Sequence, residues 1–238
     1  MFAVTFDIDW APDWAIQLCA DLCRNANIPA TFFITNDSPI ISDLKHDPNI
    51  EVGIHPNFFP DSSQGRNEKE ILENCMDWVP EAKSMRIHGL AQSTRLLTQV
   101  VEETPIETDV SLLLPFHTQL AATEIFLGDP PRKLVRLPYF WEDDIVAVWP
   151  NWNWSYESVE AGGLKIYDFH PIHIALNTSD MSRYEALKKD LGGPLSKASR
   201  DEVARFENPN KGARSFLEQL LESEPASSFH KISDLWSA

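Results

Sequence analysis

The sequence predicts an α/β protein built around a mainly parallel sheet. Short apolar runs typical of strands alternate with longer segments of helical period, beginning with MFAVTFD at residues 1–7 and continuing with ATFFIT at residues 30–35. Repeated β-then-α units place their strands parallel, in an open doubly wound sheet or in a closed barrel. A chain of 238 residues with 43% hydrophobic composition can bury a large core, so we expect one domain over residues 1–238.

Each element is assigned from the length and the period of its apolar pattern. Short apolar runs predict strands that begin at residue 2 and lie near residues 30–35, Ile50–Ile54, 83–87, 133–137 and 164–169. Helical periods predict helices at about residues 12–27, 67–78, 92–102, Ser182–Asp190 and 212–222, with a short helix before the third strand. Residues 60–66 indicate a surface loop over the site, and residues 223–228 a polar linker into a last short strand.

Composition excludes several classes of function. The 20 basic and 36 acidic residues give a formal charge of -16, which would repel a nucleic-acid backbone, so we expect no nucleic-acid partner. No stretch approaches the roughly 18 apolar residues that a membrane span needs, and no leader precedes the first strand, so we expect a cytoplasmic protein without a membrane span. Three cysteines, Cys19, Cys23 and Cys75, are too few and too scattered for a disulfide framework and indicate buried thiols.

The most informative feature is a pair of acids, Asp7 and Asp9, at the end of the first strand. The strand period of two predicts both carboxylates on one face, where they would repel each other unless a cation or a shared proton lies between them. Three histidines, His55, His88 and His170, also follow predicted strands. Because the carboxyl ends of parallel strands meet at one edge, we expect these five residues in one metal or acid/base site.

The segment TFDIDW resembles the first motif of the polysaccharide deacetylases of the NodB-homology type, with one residue inserted between the two acids. The resemblance implies that Asp7 is the catalytic base and that Asp9 is a metal ligand. The segment EVGIHPNFF resembles the second motif, which implies His55 as a second ligand. Phe59 stands where that motif has another histidine.

Two further segments extend the resemblance. MRIHGLAQS takes the place of the third motif, with Arg86 as its arginine and His88 as an additional residue. Because a catalytic zinc usually keeps three protein ligands and an open position for water, we expect His88 to replace the missing histidine. FHPIHIALNT resembles the fifth motif, in which His170 would be the general acid, with His173 three residues on.

Between the third-motif and fifth-motif segments, VRLPYFWEDD stands roughly where the family has an acid and a tryptophan that position the catalytic residues. It suggests a supporting role for Arg136 and for Asp143 or Asp144. The residues expected to bind substrate are Arg136, Tyr139, Trp141 and His173.

The resemblance covers residues 1 to about 178. The motif sequences are similar to those of a divergent branch of the family that serves bacterial surface-polysaccharide and O-antigen synthesis. It implies an incomplete (β/α) barrel of about seven strands, a (β/α)7-type fold. The implied activity is hydrolysis of an N-acetyl or O-acetyl group on a sugar or surface-polysaccharide precursor. The implied cofactor is a divalent metal, Zn²⁺ first and Ni²⁺ or Co²⁺ next. Zinc lowers the pKa of water to roughly 7, Asp7 would take the proton, and His170 would return one to the departing amine.

Other interpretations remain open at this point. Asp9 could cap the following helix, His88 could be a hydrogen-bonded core histidine, and His170 could replace it as third ligand. A glycan-binding or assembly protein that lost its metal, an amidohydrolase acting on a non-sugar amide, and a haloacid-dehalogenase-type phosphatase are rival functions. The phosphatase has no use for three histidines at strand ends. The aromatic stretch 149–154 (WPNWNW) could stack on sugar rings or serve packing.

Overall fold

The computed structural model describes residues 1–159 and 162–236. Its strands are β1 (Phe2–Asp7), β2 (Ala30–Ile34), β3 (Ile50–Ile54), β4 (Ser84–Met85), β5 (Thr108–Leu113), β6 (Thr123–Leu127), β7 (Arg132–Tyr139), β8 (Trp141–Glu142) and β9 (Lys165–Phe169). Its α-helices are α1 (Asp13–Asn25), α2 (Ile40–Lys45), α3 (Glu68–Trp78), α4 (Thr94–Glu103), α5 (Asp143–Ala147), α6 (Pro171–Leu176), α7 (Ser182–Asp190), α8 (Arg200–Ala204) and α9 (Ala213–Ser223). None of the helices in these described segments is both long and apolar enough to cross a bilayer.

The described strands form one sheet in the order β6-β7-β5-β4-β3-β2-β1-β9-β8. All neighbours pair in parallel except β6, which forms an antiparallel hairpin with β7. The sheet is not closed, but β7 and β8 are separated only by Phe140, whose N–H donates to the Ile166 carbonyl at 2.8 Å. Counting β7 and β8 as one bent strand leaves seven parallel strands in the described chain, which confirms the predicted incomplete barrel.

The two faces of the central strands differ in chemistry. Because side chains alternate along a strand, Val4 and Phe6 face away from Thr5 and Asp7. Phe6 stacks on Phe32 with ring centroids 4.6 Å apart and belongs to the apolar layer that the helices cover. Thr5 and Asp7 instead meet polar partners on the interior face. The barrel interior therefore carries charge, and the stabilising apolar core lies outside it.

Gly53 permits the close approach of β3 to β4. A Cβ at this position would lie 2.6 Å from the Ser84 carbonyl oxygen and 2.8 Å from the Phe33 ring, well inside contact distance. We expect Gly53→Ala to lower the free energy of unfolding by about 1–3 kcal/mol through overpacking, measured by urea denaturation. Gly193→Ala is the matched control, because its Cβ would meet only one atom, at 3.8 Å. Equal stability of the two variants would contradict this explanation.

The sequence patterns missed several elements. Strand β5 (TDVSLL) was not predicted because Asp109 and Ser111 interrupt its apolar run; both are buried, and Asp109 is satisfied by Arg136. The short helices α5, α6 and α8 were also missed. The predicted last short strand is wrong, since only Phe229 bridges to β1, and a helical turn, Ile232–Asp234, follows it.

Candidate active site

The acid pair is brought together by a turn. Strand β1 ends at Asp7 and is followed by the buried residue Ile8. The next two residues, Asp9 and Trp10, have left-handed φ angles of 40° and 53°. The prediction that both acids lie on one strand is therefore wrong, but both carboxylates lie near His55 Nε2, at 3.5 Å for Asp7 and 3.2 Å for Asp9. Left-handed backbone is costly for residues with a Cβ and is often held at functional sites. Here the Trp10 N–H donates to Thr35 Oγ1 at 3.1 Å and helps to hold the turn.

Three ligand-type atoms meet in a triangle. Asp9 Oδ1 lies 3.2 Å from His55 Nε2 and 3.2 Å from His88 Nδ1, and the two imidazole nitrogens are 3.2 Å apart. Ligand atoms that share a divalent ion at bond lengths near 2.1 Å are separated by about 3.0–3.5 Å. The donor set therefore fits a metal ion without rearrangement of these side chains.

The carboxylate of Asp9 has one oxygen, Oδ1, that is buried and has no aligned hydrogen-bond donor among the described residues. Burial opposes ionisation, yet the nearby His55 and His88 hold the pKa of Asp9 well below its usual range. An ionised carboxylate without aligned donors is unfavourable unless a positive charge compensates it.

His88 reaches the site from the turn after β4. Its ring packs edge-on against Trp10 at 5.3 Å and against Phe59 at 6.1 Å. Phe59 stands where the second motif has a histidine, and it packs against His88. Trp10 was not singled out from the sequence; its place directly after Asp9 is the signal that could have identified it.

Asp7 is held by a buried arginine. Arg86 Nη1 donates to Asp7 Oδ1 at 2.8 Å and also to Asp168 Oδ1, and Arg86 Nε donates to the Val110 carbonyl at 3.2 Å. The guanidinium lies over the ring of Tyr139, 4.4 Å from its centroid. The second carboxylate oxygen of Asp7 therefore remains available to the site, 3.5 Å from His55 Nε2.

Asp168 is a site residue that sequence reasoning missed. It is fully buried, and Thr5 Oγ1 donates to its Oδ1 at 2.7 Å. Burial raises the pKa of Asp168 well above its usual value, and Asp7 adds to this effect. The available signal was an acid within a strand that reads as fully buried, which requires a buried partner such as Arg86.

His170 follows β9 and is oriented by Asp143 at the start of α5. His170 Nδ1 lies 2.7 Å from Asp143 Oδ1, and the His170 backbone N–H donates to Asp143 Oδ2 at 3.0 Å. Burial opposes the charged imidazole, but Asp143 raises the pKa of His170 well above its usual value. Because Nδ1 is engaged by Asp143, Nε2 is directed toward Asp9 Oδ2 at 3.6 Å. Of the two candidate acids, Asp143 rather than Asp144 makes this supporting contact.

Three of the four residues expected to bind substrate are covered by protein. Tyr139 donates to Glu142 Oε2 at 2.5 Å beneath Arg86, and His173 Nδ1 lies 3.0 Å from Thr178 Oγ1 behind His170. Trp141 is 1% exposed and stacks on Phe216 with centroids 4.6 Å apart, on the outer face of the sheet. None of the three presents open surface to the catalytic groups, because neighbouring side chains already pack against them.

Arg136 has a different environment. Its Nε donates to Asp109 Oδ2 at 2.8 Å, its Nη2 donates to Gln92, and 19% of its side chain is exposed. It braces β5 against β7 and retains some open surface.

Close to His170 lies Glu142, which was not singled out from the sequence. Ligand-type atoms of Glu142, Asp144 and His170 lie within 4.8 Å of one another. Burial, with the nearby Asp144 adding to it, raises the pKa of Glu142 to about 8. The protonated form of Glu142 is therefore favoured near neutral pH.

Comparisons with known proteins identify the family of the chain. The family model WbmS-like polysaccharide deacetylase matches residues 4–188. A crystal structure from Bordetella bronchiseptica, described as a polysaccharide deacetylase involved in O-antigen biosynthesis, is 32% identical to the chain. The match covers 93% of this chain and 89% of that chain, with a TM-score of 0.81. No curated protein sequence matches significantly. The fold, the strand-end residues and the family model lead to one conclusion: the chain belongs to the WbmS-like polysaccharide deacetylase family.

Proposed function

We propose that this protein is a metal-dependent hydrolase that removes an acetyl group from a sugar unit of a surface-polysaccharide precursor. The observation that carries the proposal is the triangle of Asp9 Oδ1, His55 Nε2 and His88 Nδ1, with edges of 3.2 Å. Family membership supports deacetylation as the reaction, and O-antigen biosynthesis is the role described for the similar Bordetella protein.

Asp9, His55 and His88 would hold the metal ion, which nitrogen and oxygen donors suit to Zn²⁺ first, with Ni²⁺ or Co²⁺ also compatible. The ion would lower the pKa of water and polarise the acetyl carbonyl. Asp7 accepts the proton of the attacking water at its free carboxylate oxygen. Arg86 fixes the orientation of Asp7 through the 2.8 Å contact.

In the same proposal, His170 Nε2 donates a proton to the departing nitrogen or oxygen of the sugar. Its Nδ1 contact with Asp143 fixes the ring and raises its pKa, so the imidazole stays protonated near neutral pH. A base and an acid can then act in one reaction cycle.

Acetate release tests this proposal directly. The metal-reconstituted protein is expected to release acetate from at least one member of a panel of N-acetylated and O-acetylated sugars, nucleotide-linked sugars and polysaccharide fragments, measured by a coupled enzymatic assay. The Asp7→Asn variant is the control for contaminating hydrolases. Failure of the wild-type protein to release acetate from every member of the panel would contradict the proposal.

The pH profile tests the role of Asp143. The Asp143 contact raises the pKa of His170. The pair therefore contributes to the free energy of unfolding, and this contribution is complete at pH values below the unfolded-state pKa of histidine. That contribution is lost as the pH rises through the higher folded-state pKa. We expect Asp143→Asn to shift the alkaline limb of kcat/KM to lower pH by about 1–3 units, because the imidazolium loses its partner.

The matched control for this shift is Asp144→Asn. Asp144 also raises the pKa of His170, but no hydrogen bond joins them. We expect a smaller shift in this variant. An unchanged alkaline limb in Asp143→Asn would show that His170 is not the group that titrates there.

A further inference from the structure

A second pocket lies on the outer face of β8 and β9. Trp141 and Tyr167, which line it, are register partners, and so are their neighbours Glu142 and Asp168. Because successive side chains alternate between faces, the pocket lies across the sheet from Asp168 and the catalytic groups. Its volume is about 290 Å³. The pocket is therefore separate from the site described above.

Aromatic rings and polar side chains line this pocket together. We define the aromatic pocket by Phe116, Trp141, Trp152, Asn153, Tyr156 and Glu157. The Phe116 ring is 5.4 Å from that of Trp152, and Phe116 is 37% exposed. The ring centroid of Trp149 lies 5.5 Å from that of Phe116. Trp149 is 40% exposed and extends the aromatic surface outward. Apolar ring faces thus stand beside an amide and a carboxylate.

Two indole groups of this pocket lack acceptors. The Nε1 atoms of Trp141 and Trp152 are shielded from solvent and have no hydrogen-bond partner within the described part of the chain. By contrast, Trp154 Nε1 donates to the Ser179 carbonyl at 2.8 Å. Because these two N–H groups are shielded, the polar groups that the pocket offers to a ligand are the exposed Asn153 amide and Glu157 carboxylate.

We propose that the aromatic pocket binds one pyranose ring of a carbohydrate chain, outside the catalytic centre. A pyranose has an apolar C–H face that stacks on aromatic rings, and its hydroxyl groups can hydrogen-bond to an amide and a carboxylate such as those of Asn153 and Glu157. The volume is near the lower end of small-molecule pockets, about 300 Å³, which suits a single sugar unit. The ligand class rests on the proposed function, since the substrate of a polysaccharide deacetylase is itself a carbohydrate.

The probe for this site is cellotetraose, which carries no acetyl group and so cannot be turned over. Binding is measured by isothermal titration calorimetry and by saturation-transfer NMR. We expect the wild-type protein to bind it, and Trp152→Ala and Phe116→Ala each to weaken binding by at least about fivefold. Trp78→Ala, a partly buried tryptophan at the end of α3, is the matched control and should bind as wild type. Acetate release from a monosaccharide substrate should be unchanged in all three variants.

Several outcomes separate this proposal from the proposed function. Absence of cellotetraose binding to the wild-type protein, or equal binding by Trp152→Ala and wild type, would overturn the carbohydrate site. Trp152→Phe keeps a ring and should recover part of the binding, while thermal unfolding verifies that each variant is folded. Binding that depends on Trp152 in a protein that releases no acetate would support the pocket and contradict the hydrolase proposal.

Discussion

Replacement of Asp9 by asparagine is expected to remove the bound metal and to lower kcat/KM for acetate release by at least about a thousandfold. The amide keeps the shape of the side chain but loses the charge that balances a divalent ion next to His55 and His88. Loss of one of three ligands weakens zinc sites severely, and the hydrolysis depends on the ion. Metal content is measured by mass spectrometry after metal-free purification and reconstitution with zinc, nickel or cobalt.

Asp13→Asn is the control for this experiment. Asp13 lies four residues on, in the first turn of α1, and accepts a hydrogen bond from Ser38 rather than from a histidine. It should bind metal and release acetate as wild type does. Full metal content in Asp9→Asn would contradict the ligand assignment. Less than about a tenth of an equivalent in the wild-type protein would contradict metal dependence altogether.

The second large effect concerns proton transfer. Asp7→Asn is expected to lower kcat by about 10²–10⁴-fold while metal content stays near that of the wild-type protein, because the site loses its base and keeps its ligands. Steady-state kinetics with metal analysis on the same samples separates the two effects.

Asp168→Asn provides the comparison, because Asp168 shares Arg86 with Asp7 but lies deeper in the barrel. Since burial favours its protonated form, a neutral amide replaces it with little change of charge. We expect this variant to keep kcat within about tenfold of wild type. A larger loss in Asp168→Asn than in Asp7→Asn would make Asp168 the base and would contradict the assignment.

The sequence predicted the location of the site because strand ends are easy to recognise. Asp7, His55 and His170 each stand at or directly after the end of a regular parallel strand, and their convergence follows from topology alone. His88 was expected from the number of ligands that zinc requires, and the structure places it beside Asp9 and His55.

What the sequence could not predict depends on backbone conformation and burial. The left-handed turn at Asp9 and Trp10 has no sequence signature, since neither residue is glycine. Trp141 was expected to bind substrate, but alternation along β8 turns it to the outer face. The same alternation places the aromatic pocket there.

The most direct test of the account is anomalous diffraction at the zinc edge from crystals of the reconstituted protein. We expect one strong peak at about 2.1 Å from His55 Nε2, His88 Nδ1 and Asp9 Oδ1 together. A peak coordinated by His170 in place of His88 would contradict the ligand assignment. So would a fully reconstituted crystal without a peak between these three atoms.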